Sequence, residues 1–218
     1  MLVQLNYTEL VINMGLISNG TTLLDAGAID SGVATGAMTL IKTLTASSSG
    51  TLSFVDGASS VVLDGTYKEY IFKIFNVHPS ESADFAFNLS ADTGSNYNVS
   101  KTSTSFFSYN SEDDSGQAGP QYSDDDLANG TGFQKLNVSS TWGTPSNDQG
   151  LSGQLHLFDP SNTTFVKHFL ARTNITVAYS LDSYINGYAN TTSAIDGVQF
   201  KFESGNIDSG IIKMYGIK

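Results

Sequence analysis

The chain has no cysteine among its 218 residues, so neither a disulfide nor a thiolate metal site contributes to its fold. Charge is also scarce: 14% of residues are charged, and 10 basic side chains face 21 acidic ones, for a net charge of −11. A protein that binds nucleic acid needs a basic footprint to displace counterions, so nucleic acid is excluded as an expected partner. The first fourteen residues carry no basic start and have Glu9 inside their apolar run, which fits neither a signal peptide nor a membrane insertion. The expected site of synthesis and assembly is therefore the cytoplasm. Met14 offers an alternative start, which leaves two readings of the N-terminus. No repeat of fixed period is present, which argues against a propeller or solenoid.

What remains is enough for a core: 39% hydrophobic and 11% aromatic residues. The apolar residues concentrate in residues 51–77, TLSFVDGASSVVLDGTYKEYIFKIFNV. Asp56-Gly57 and Asp64-Gly65 supply turn chemistry. After them Tyr70, Phe72, Ile74 and Asn76 alternate with Ile71, Lys73, Phe75 and Val77, a period of two rich in aromatic and β-branched residues. Residues 69–77 are expected to form a central strand.

Further strand-like segments lie at 37–46, 84–91, 96–109, 133–138, 150–158, 164–171, 175–179, 183–188, 198–202 and 211–217, with no convincing helix among them. Residues 110–130, NSEDDSGQAGPQYSDDDLANG, read as a long acidic surface loop. The fold class implied is all-β: an antiparallel β-sandwich, jelly-roll-like, over residues 37–218. Residues 15–36 are glycine-rich and lack a core of their own, so residues 1–36 read as an extended N-terminal arm for attachment. Its apolar residues, Leu16, Ile17, Leu23, Leu24 and Ile29, would lie along a neighbouring surface.

Few residues carry candidate chemistry. His156 and His168 stand on the two arms of a hairpin where they could face each other, but no further ligands accompany them at metal spacing, and His78 stands alone. Glu112-Asp113-Asp114 and Asp124-Asp125-Asp126 are acidic enough for calcium yet lack the alternating spacing of a calcium loop. No nucleophile elbow, phosphate loop or paired strand carboxylates are found, so no catalytic residue, metal or cofactor is assigned and an enzyme is not expected. Trp142, Tyr122 and Tyr109 lie in or beside loops, where aromatic rings stack on sugars or anchor an interface; Trp142 plugging the core is the alternative.

Residues 15–28, GLISNGTTLLDAGA, with 52–74, 151–169 and the ending Ser209-Gly210-Ile211-Ile212-Lys213-Met214-Tyr215-Gly216-Ile217, resemble structural proteins of marine tailed bacteriophages, including tail-fibre-like β domains. The resemblance spans most of the chain except residues 1–13 and 110–130. It implies a virion component, a homotrimer that contacts other virion proteins through the arm and projects the sandwich outward. Such a protein would serve the tail or fibre, or decorate the capsid as a cement or head-fibre protein. A carbohydrate-binding module touching a host surface glycan is the expectation from a different class.

Overall fold

The structure is a computed structural model that describes residues 16–18, 21–25, 28–29, 37–138 and 149–218. The chain forms two compact units, Met1–Ala37 and Met38–Lys218. In the first, β1 (Leu16–Ser18), β2 (Thr21–Asp25) and β3 (Ala28–Ile29) make a small antiparallel sheet in the order β1-β2-β3. Leu16 pairs with Leu24 and Leu24 with Ile29, so three of the five apolar arm residues share one lateral row.

The second unit is an antiparallel β-sandwich. Its larger sheet has eight strands: β4 (Met38–Ser49), β15 (Ile207–Ile217), β6 (Glu69–Pro79), β11 (Gly150–Phe158), β12 (Lys167–Thr176), β13 (Tyr179–Ala189), β8 (Lys101–Ser111) and β9 (Gln117–Ser123), in that order. The smaller has four: β10 (Gln134–Lys135), β7 (Phe85–Ser90), β14 (Gly197–Phe202) and β5 (Leu52–Val55). The chain crosses between the layers repeatedly, in the manner of a jelly roll, but the two sheets are unequal.

Residues 69–77 belong to β6, third in the large sheet between β15 and β11. Tyr70, Phe72 and Ile74 are buried, as the alternation requires, while Lys73 and Phe75 turn outward. The parity then breaks. Asn76 takes a φ of 46°, its amide donates to Ser152 Oγ at 2.9 Å, and the next residue, Val77, is wholly buried rather than outward. A bulge of this kind adds one residue and turns the following side chains to the other face. Gly210 makes room for it: at φ 130°, a Cβ there would lie 2.7 Å from Val77 Cα.

The core is aromatic. Phe200 on β14 packs against Phe54, Phe72, Phe85 and Phe87, with ring centroids 5.6–6.4 Å apart. Phe72 reaches across from the large sheet to Phe54 at 5.2 Å, and Phe169 on β12 meets Phe87 at 5.2 Å. Val61 and Leu63 lie in no strand and plug the core from the β5–β6 connection, where Asp56 Oδ1 accepts the Leu63 amide at 2.8 Å.

Two sequence expectations need correction. The acidic block 110–130 is not one loop: β8 runs on to Ser111, a tight turn follows in which Ser111 N donates to Gly116 O at 2.8 Å, and β9 pairs back. The segment 175–179 is not one strand either, because Val177-Ala178 forms the turn between β12 and β13, with Ala178 at φ 66°.

Neighbouring phenylalanines of β6 give a direct test of the assignment of faces. Phe72→Ala should destabilise the sandwich by about 3–5 kcal/mol, as truncation of a packed core aromatic does. Phe75→Ala, three residues on but on the outer face, should cost about 1 kcal/mol or less. Urea unfolding of the two variants measures the contrast.

Candidate functional site

Because β-strand side chains alternate, every second residue of the large sheet faces away from the core. The pairing register then lines up outward residues across all eight strands. One continuous row runs Thr43, Lys213, Lys73, Gln154, Arg172, Tyr184, Phe106 and Tyr122, each directly opposite the next. It contains the chain's single arginine and two of its nine lysines.

The chemistry of the row changes from one end to the other. Phe106 and Tyr184 stack with centroids 4.7 Å apart and planes inclined by 7°. Arg172 lies over the Tyr184 ring at 4.8 Å and grips Asp182 with two hydrogen bonds, Nε to Oδ1 at 3.0 Å and Nη2 to Oδ2 at 2.7 Å. That pairing raises the guanidinium pKa, while burial and then the Asp182 carboxylate raise that of the Tyr184 phenol. Arg172 is thus held flat against the sheet, with its planar fork oriented by the carboxylate.

At the other end, Lys73 and Lys213 stand directly opposite one another on β6 and β15. Like charges in that position repel. Each lysine swings away along a diagonal onto an aromatic ring of the other strand: Lys73 Nζ lies 5.7 Å from the Tyr215 centroid and Lys213 Nζ 5.5 Å from that of Phe75. Between this quartet and Arg172 the face dips into a groove of about 570 Å³ lined by Lys73, Phe75, Ser152, Gln154, Arg172 and Asn174. Phe75 is 43% exposed at its edge.

The aromatic residues singled out from the sequence are not brought together. Tyr122 is 62% exposed, continues the row at the β9 edge and donates its hydroxyl to Asp126 Oδ2 at 2.7 Å. Tyr109 points to the opposite side of the same sheet, beside Phe107 and Tyr179. Trp142 lies outside the described residues. His156 and His168 do not face each other: His156 pairs with Leu170 and meets Glu69 at 2.5 Å, while His168 lies beside Tyr188. Among the described residues no group of three or more His, Asp or Glu side chains is placed to hold a metal.

The acidic clusters serve local structure. Asp113 Oδ1 accepts the Ser115 amide in the β8–β9 turn, and Asp125 holds Lys135, which also binds the buried Asp84 at 2.7 Å. Burial pushes Lys135 down, but these two carboxylates more than offset it and the net shift is upward.

A second cationic feature lies in the interior. Lys101, at the start of β8, is wholly buried with no carboxylate partner; its ammonium donates to Asn88 Oδ1 and to Val99 O at 2.8 Å. Asn88 in turn donates to the carbonyls of Tyr97 and Thr131, so the lysine ties two loops to β7. Lys167, also buried, lies across Ala189 from Lys101 and holds the carbonyls of Thr191 and Ser193.

Burial lowers the Lys101 pKa to about 7. The unfolded chain therefore binds the extra proton between pH 7 and about 10.5, and stability should rise with pH across that window, by at most about 5 kcal/mol for the full shift. Above pH 10 the trend is opposed by Tyr70, whose pKa is raised to about 12 by burial and by Asp64, so that its proton is lost first from the unfolded chain. Chemical denaturation of the native chain and Lys101→Met at pH 7, 8 and 9 should show the rise in the former and a flatter profile in the latter.

No family model matches the chain, and no curated protein matches it.

Proposed function

We propose that the chain is a non-enzymatic structural protein of a bacteriophage particle. In this reading it is a tail- or fibre-associated sandwich held to other virion proteins through residues 1–36, assembled as a homotrimer, with the large sheet displayed outward. The observation that carries it is the division of labour along the chain: a small separate β unit precedes a sandwich whose broad outer face bears exposed aromatic and cationic side chains. The resemblance of several strand and turn segments to marine phage structural proteins points the same way.

The roles taken by the carboxylates fit a structural protein. Asp56, Asp64, Asp92 and Asp113 accept backbone amides in turns, and Asp84, Asp159 and Asp182 pair with cations. A glycan hydrolase would need two carboxyl groups about 5–10 Å apart across an open cleft. The role in attachment is favoured over capsid decoration by the outer face itself, since an array of exposed rings and cations suits recognition of a ligand.

Light scattering on the purified full-length chain should give three times the 23.2 kDa protomer mass, and an antibody against it should label intact particles near the tail. A monomer at all concentrations, together with absence from purified particles, would contradict the reading.

A further inference from the structure

We propose that the outer face of the large sheet is a binding groove for an acidic polysaccharide, with Lys73 and Lys213 receiving its carboxylate or sulfate groups and Phe75 and Tyr215 contacting its sugar rings. The strongest observation is the placement of charge. In a chain with 21 acidic and 10 basic residues, two lysines stand directly opposite each other on adjacent strands. Neither makes a salt bridge among the described residues; each has only an aromatic ring beneath it. Opposed like charges destabilise a sheet, and an anion seated between them would turn that repulsion into attraction.

The second observation is the shape and lining of the groove beside them. It is shallow, and its lining carries the amides and hydroxyls of Gln154, Asn174, Ser152 and Ser180, the partly exposed ring of Phe75 and the Arg172–Asp182 ion pair, whose carboxylate is neutralised by the guanidinium. Such a surface matches a chain of pyranose rings, which offers hydroxyls at its edges and C–H bonds on its faces. A small-molecule cofactor would instead need an enclosed apolar cavity. From Lys73 to Tyr122 the row crosses five strand spacings, about 24 Å, which is the footprint of an extended polymer rather than of one sugar. Arg172 is already neutralised by Asp182, so it positions the stack on Tyr184 and leaves the anion to the lysines.

The inference rests on the proposed attachment role only for the source of the polymer, a host surface; the binding is a property of the face. Titration calorimetry of the full-length protein with an alginate hexasaccharide and with uncharged cellohexaose tests it. The acidic oligomer should bind at least about tenfold more tightly than the neutral one, one charge-assisted contact being worth that factor. The pair Lys73→Gln and Lys213→Gln, which keeps the side-chain stems, should remove that difference. Phe75→Ala should weaken both oligomers, and Lys201→Ala, on the small sheet, neither. The proposal is overturned if the folded native protein binds no alginate oligomer, if the double glutamine variant binds it as before, or if a DNA duplex competes equally well. Loss of glycan binding with an intact trimer on particles would remove this inference alone, whereas glycan binding by a protein absent from particles would remove only the particle assignment.

Discussion

The packing of Phe72 between Phe54 and Phe200 is the contact on which the rest of the sandwich depends. It joins the third strand of the large sheet to the middle of the small one. A buried ring on one face of a strand dictates which residues face out, because a slip of one residue would expose the core and bury Lys73. Once β6 is fixed, its pairing with β15 and β11 propagates the register outward. The array on the outer face, eight residues in line, is a consequence of aromatic packing on the inner one.

Without disulfides, the sandwich relies on polar links at its margins. Lys101 and Lys167 bind loop carbonyls, and Asp84, Asn137, Lys135 and Asp125 join residues 133–138 to the layers, with Asn137 Nδ2 donating to Asp84 at 2.7 Å and Asn137 Oδ1 accepting the Phe85 amide at 2.5 Å. This explains how residues 133–138, with only two residues in a strand, remain buried at Gln134, Leu136, Asn137 and Val138. Lys101, buried without a carboxylate, costs stability at neutral pH, so it fixes how the loops lie rather than adding to the free energy of folding.

Much of the fold was legible in the sequence because a period of two is written plainly where one face is apolar, as in residues 69–75, 151–157 and 198–202. The failures have physical causes. The Val177-Ala178 turn lacks glycine, asparagine or proline, so nothing in composition separates it from the strands on either side. Strand β9, with Gly119, Pro120 and two glutamines and only one aromatic, Tyr122, lacks the alternating apolar residues that would have marked it as a strand. The Asn76 bulge inverts parity through backbone geometry supplied in part by Gly210, more than 130 residues away. The candidate site was hidden for a related reason. Its signal was a Lys-x-aromatic triplet present in both β6 (Lys73, Phe75) and β15 (Lys213, Tyr215), which acquires meaning only when the two strands pair. Tyr122 was visible as an exposed aromatic, but its separation from Tyr109 follows from their lying on opposite faces of one sheet.

The central claim is that the aromatic core sets a register that presents a continuous binding face on the other side of the large sheet. Backbone and side-chain NMR of the labelled full-length protein, titrated with an alginate hexasaccharide, tests it most directly. The account predicts shift changes at Lys73, Phe75, Gln154, Arg172 and Lys213, which are far apart in sequence and adjacent only through this register, with Tyr109 and the core phenylalanines unmoved. Changes centred on Tyr109 or Trp142, or none at saturating oligomer, would contradict it.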